Sequence, residues 1–107
     1  MADPASLTSS AFHAFMTEAP EHSRSWSTMV GGLAESSALD PKTSALAYLA
    51  VLAAQRLEGG VAFHVQEARR AGASREEVIS AVLIGLPAAG LGVTQVLPAA
   101  VAAYDAE

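Results

Sequence analysis

The sequence predicts an all-α fold, and three observations carry that prediction. Apolar residues recur at intervals of three and four along successive segments, the repeat of one helix face. Helix-start and helix-stop residues punctuate those segments. No stretch of five or six residues alternates apolar with polar, as a half-buried strand would. The composition agrees: 51% of residues are hydrophobic but only 6% are aromatic, so alanine, leucine and valine supply most of the apolar surface. Alanine loses no side-chain entropy in a helix and lets helices approach closely. At 107 residues the chain has room for one core. It divides into an N-terminal segment with a short helix (1–19) and a helical domain (20–107), with about six helices in all.

Residues 1–6 read as a disordered terminus. A short first helix follows, with Phe12, Phe15, Met16 and Ala19 on one stripe and Ser9, Ser10 and His13 off it. Pro20 stops it and opens the second helix. That helix carries Trp26, Met29, Val30 and Leu33 at helical spacing and weakens at Gly31-Gly32 and Ser36-Ser37. Phe12, Phe15 and Trp26 are expected in the core. Asp40 caps the third helix, and Pro41 fits its first position, where a missing N–H costs nothing. From Ala45 to Ala54 every residue is apolar or Tyr48, so this helix is expected to be central and buried on all sides. A break at Glu58-Gly59-Gly60 leads into a fourth helix, where Val61, His64, Val65 and Ala68 share a face. Gly72 suits the residue after its end, where a positive φ is favoured. Ser74-Arg75-Glu76-Glu77 is a capping box opening the fifth helix. That helix is expected to run toward Gly90 with a kink at Pro87, and the last from about Gly92 to Tyr104.

The formal net charge is −5, and the longest basic cluster is the doublet Arg69-Arg70, with no aromatic platform beside it. Nucleic acid is therefore not an expected partner. The run Val78 to Tyr104 holds no charge and is long enough for a membrane span, but Gly85, Pro87, Gly90, Gly92 and Pro98 interrupt it. It reads as two helices, and no membrane partner is expected. No secretory signal is visible before Arg24, so the cytoplasm is the expected compartment. So short and apolar a chain would leave greasy helix faces exposed, which a homo-oligomer covers. The chain contains no cysteine. Disulfides, thiolate metal sites and thiol nucleophiles are thereby excluded.

The stretch from Leu57 to His64 is the most informative for chemistry, because it sets one histidine on an otherwise apolar helix face. Histidine titrates near neutrality and is the side chain most often used as general acid or base. The bland reading is a partly buried imidazole donating to a main-chain carbonyl. Tyr48 offers a hydroxyl either to a pocket or to a structural partner. Glu58 reads first as a solvated loop carboxylate, and His13 and His22 as surface residues. The three histidines lie nine and forty-two residues apart, which is no metal-ligand spacing, so no metal is expected. Gly59-Gly60 reads as a helix junction in preference to an anion cradle.

Taken in order, several segments resemble the carboxymuconolactone decarboxylase family, whose superfamily includes the AhpD-type alkyl hydroperoxidases. These are Leu39-Asp40-Pro41-Lys42-Thr43, the alanine-rich helix, the His64 helix and Ala71-Gly72-Ala73-Ser74-Arg75-Glu76-Glu77. The resemblance covers roughly residues 39–104. It implies an AhpD-like multi-helix domain assembled as a homo-oligomer, a trimer or hexamer, with sites near subunit contacts. The redox site of the peroxidases holds two cysteines, a following histidine and a preceding glutamate. Carried over position by position, these become Leu57, Gly60, His64 and Ala45. A thiol peroxidase needs one thiolate to attack the peroxide and a second thiol to resolve it. Leu57 and Gly60 can do neither, so that activity is excluded.

The lactone decarboxylases of the family lack the cysteine pair yet keep the histidine, and they release carbon dioxide from 4-carboxymuconolactone with no cofactor. The resemblance thus implies a carboxy-lyase type of activity, cofactor-free acid/base chemistry on a small lactone or carboxylate. In that reading His64 moves the proton, Glu58 orients it, Arg56 holds the substrate carboxylate and Tyr48 lines the pocket. Basic residues near the site are few, which weighs against a dianionic substrate. The alternative is a non-catalytic small-molecule-binding or scaffold homo-oligomer on the same fold, motivated by the loss of three redox-site positions.

Overall fold

The structure is a computed structural model that describes residues 9–106. It is all-α, with no strand among those residues. Six helices have nine residues or more: α1 (Ser10–Glu18), α2 (Pro20–Ser36), α3 (Pro41–Gln55), α4 (Val61–Arg70), α5 (Arg75–Leu83) and α7 (Leu97–Asp105). A four-residue α6 (Leu86–Ala89) and two 3-10 turns, Glu58–Gly60 and Leu91–Val96, complete the chain. The expected disorder of residues 1–6 falls outside the described residues.

The start and stop signals work as local hydrogen-bond chemistry requires. The Thr43 N–H donates to Asp40 Oδ1 at 2.7 Å, capping α3. Ser74 and Glu77 exchange side-chain and backbone bonds at 3.1 and 2.8 Å, the reciprocal capping box of α5. Gly72 ends α4 with φ 97, while Ala73 N–H reaches back to the Ala68 carbonyl at 2.9 Å. The same motif ends α3, but there the left-handed residue is Arg56, at φ 58. A side chain in that conformation is uncommon and mildly strained.

Two boundaries differ from the sequence-based expectation. In place of one helix kinked at Pro87, α5 stops at Leu83 and Pro87 sits in the first turn of α6, where its missing N–H is harmless. The last helix begins at Leu97, because Pro98 would clash with the carbonyl of residue 94 if an α-helix ran through it. The segment from 91 to 96 is therefore a tighter 3-10 turn. In contrast, α2 continues unbroken through Gly31-Gly32.

The core lies where α3, α4, α5 and α7 meet, around Leu49, Leu52, Val65, Val82, Val96 and Ala100. Side chains of α4 close the far end of α7. Gln66 donates to the Ala103 carbonyl, and Arg69 donates to the carbonyls of Tyr104 and Ala106 at 3.0 and 2.6 Å. These are carbonyls that a helix end leaves without partners of its own.

Two expectations about burial need correction. Only Leu49, Leu52 and Ala53 of α3 are fully buried, and Val51 is 53% exposed. The helix is central, but one of its sides is open within a single chain. Phe12, Phe15 and Trp26 do not reach the core either. They pack edge-on among themselves, with Trp26 ring centroids 5.3 Å from Phe12 and 6.2 Å from Phe15. They hold α1 and α2 together as a helical arm that makes no comparably extensive contact with the body. Among the described residues no helix is long and apolar enough to cross a membrane.

Candidate functional site

Packing of α4 antiparallel to α3 determines where His64 goes. Gly60, just before α4, faces the Leu52 side chain, and one turn later His64 meets Tyr48. Their rings lie 4.3 Å apart, centroid to centroid, tilted by 32°. Phe63 approaches the imidazole edge-on at 5.2 Å. The imidazole is half-buried in this seam and makes no hydrogen bond with the described residues, so the bland reading of a carbonyl-bound histidine does not describe it. Burial holds its pKa below the ordinary 6.5, opposed in part by the negative charge of Glu67. The ring is therefore mainly neutral at neutral pH.

Of the four residues singled out from the sequence, the structure brings two together, His64 and Tyr48. Arg56 lies eight residues beyond Tyr48, about 12 Å along the helix axis, where α3 enters the turn of the α3–α4 hairpin. Its guanidinium lies over Gly92, so close that a Cβ there would overlap it. Glu58 opens the 3-10 turn at the same end. Neither makes a hydrogen bond or ion pair with His64.

The carboxylate that His64 senses is Glu67, which sequence reasoning passed over. The spacing of three residues along α4 was a readable signal for it. Glu67 also bonds Arg70 at 2.6 Å, which partly neutralises it. Among the described residues no three His, Asp or Glu side chains gather as a metal site would require.

An open depression lies elsewhere on the described residues. It is a groove of about 630 Å³ between α3 and α5, lined by Leu46, Ala47, Ala50, Ala81 and Ile84 with Thr43 and Ser80. Glu76 and Glu77 stand at its rim, and Glu77 is occupied by Lys42 at 2.9 Å and by the Ser74 N–H. The groove offers apolar contact and no group suited to proton transfer at its floor.

Leu57 and Gly60, which the resemblance sets against the peroxidase cysteines, are respectively exposed and placed just before α4. No curated protein and no solved structure matches the chain. The sequence profile of the carboxymuconolactone decarboxylase family matches residues 20–105, from the start of α2 to the end of α7. That span takes in the Tyr48–His64 seam and every core helix, and the chain belongs to the carboxymuconolactone decarboxylase family.

Proposed function

We propose that the Tyr48–His64 seam is a cofactor-free acid/base site for a small lactone or similar carboxylate. The observation that carries this reading is a half-buried imidazole, tilted against Tyr48, whose nitrogens make no hydrogen bond with the described residues. In a decarboxylation the bond to the carboxyl group breaks and its electron pair moves into the adjoining carbonyl system. The protonated fraction of His64, the minor form at neutral pH, then gives its proton to the carbon left behind and recovers one from solvent. The Tyr48 ring fixes the plane of the imidazole, and its hydroxyl can donate to a ligand oxygen. In this reading the protein acts as a homo-oligomer, a trimer or hexamer.

A second reading, a non-catalytic binding or scaffold protein, is favoured by one observation. The charge felt by His64 is the carboxylate of Glu67, itself paired with Arg70, and among the described residues no cation is recorded acting on the imidazole. The two are separated by following lactone absorbance and ligand-induced thermal shift in the wild type and in H64A and Y48F. On the catalytic reading H64A loses roughly 10²–10⁴ in turnover while Y48F keeps part of it. A thermal shift with no turnover in the wild type leaves the binding reading. Neither turnover nor shift with any small lactone acid removes the catalytic reading and favours the scaffold one.

A further inference from the structure

We propose that Glu67 is a positioning residue shared between His64 and Arg70, and that Arg70, by holding the Glu67 carboxylate, limits how often the imidazole is protonated. The control acts on the proton of His64. Only its consequence for turnover rests on the acid/base reading given above.

The first observation is a row of three side chains on α4, at positions 64, 67 and 70. Residues three apart on a helix are neighbours, so Glu67 has one partner within reach a turn before it and another a turn after it. It is bonded to Arg70 at 2.6 Å and makes no ion pair with His64. Charge and order along the helix explain the choice. A neutral imidazole offers an N–H at most, whereas arginine offers a charged fork. A carboxylate that precedes its cation along a helix is also the better-oriented pair. Even so, the charge of Glu67 reaches the ring and opposes the effect of burial.

The second observation is that the Arg69-Arg70 doublet divides its work. Arg69 is committed to the last carbonyls of α7 and lies over the Tyr104 ring. Arg70 bonds Glu67 and no other described residue. The Glu67 and Arg70 side chains are 43% and 51% exposed, so water screens their pairing and leaves it weak. The imidazole is half-buried and less screened. Tyr48 from α3 and Phe63 from α4 meet it with uncharged rings. Among the described residues Glu67 is the charge that acts on it. Once His64 takes up a proton, Glu67 has a cation on each side and its hold on Arg70 loosens. The coupling is reciprocal: a tighter Glu67–Arg70 pair lowers the proton occupancy of His64. The acid form that proton donation requires is thus set by a competition one turn away.

The test is an NMR titration of the His64 imidazole, identified by its absence from H64F. It is run on the wild type, R70Q, E67Q, E67Q/R70Q and R70K. R70Q should raise the midpoint by about 0.3 pH, about a twofold gain in the protonated fraction, and E67Q should lower it by a similar amount. R70K should restore the wild-type midpoint, and R70Q should have no effect once Glu67 is replaced. One midpoint common to all variants overturns the proposal. An R70Q shift that persists in the E67Q background also overturns it, because Arg70 would then act on the ring directly. The control and the acid/base reading fail separately. Shifted midpoints without turnover of any lactone acid support the control and count against catalysis. Turnover that H64A abolishes, with midpoints unmoved, supports catalysis and overturns the control.

Discussion

An imidazole that gives up water on folding resists protonation, and this makes His64 a pH-dependent contributor to stability. Its folded pKa lies below 6.5 because burial disfavours the charged ring. Between that lowered value and 6.5 the unfolded chain binds more protons than the folded one, so stability rises with pH across the window. The contribution is complete above about 6.5 and is lost as pH falls toward the folded value. Thermal melts from pH 7.5 to 5.5 should therefore drop more steeply for the wild type than for H64F, which keeps a ring against Tyr48. Equal slopes would mean that the imidazole is not desolvated. Arg56 shows how one backbone angle decides a role at this scale. Its closeness to His64 in sequence made it a natural anion-binding candidate. A left-handed φ of 58 at the end of α3 accompanies a side chain laid over Gly92. No local signal marks that conformation, since glycine is the usual occupant.

At the level of elements, what was legible in the sequence is what neighbours within a few residues determine. Asp40, Gly72 and Ser74 act through bonds to groups three to five positions away, and each functions where sequence patterning places it. Removing one such bond has a definite effect: S74A should lower unfolding stability by about 1 kcal/mol, read from the midpoint of a urea titration with an unchanged m-value. A loss below a few tenths would show that water replaces the cap. The end of α5 was not legible, because it depends on a distant segment. The chain bends at Ile84-Gly85, and Val93 of the 3-10 turn would lie 3.8 Å from a Cβ at Gly85. The Tyr48–His64 contact is likewise tertiary. Both residues were candidates from sequence, but only the antiparallel packing of α3 on α4 pairs them. That packing also leaves Arg56 and Glu58 at the far end of the hairpin.

The whole molecule has two parts of unequal stability, a packed body and an arm. Truncating the body should be costly: L49A removes a fully buried side chain at the meeting of the core helices and should cost about 2–5 kcal/mol. In a dilute monomer L33A should change stability little, because Leu33 is exposed on α2, outside the buried core. Under the same conditions amide hydrogens of α2 should exchange faster than those of α3 and α4. Protection of α2 equal to the core in a monomer would contradict the division. The arm also carries the chain's sole tryptophan, Trp26, seated where α1 meets α2. Indole emission thus watches one limb of the protein and is blind to the rest. A shift of that emission to longer wavelength, while circular dichroism stays constant, would report a change in the limb's surroundings with no label added.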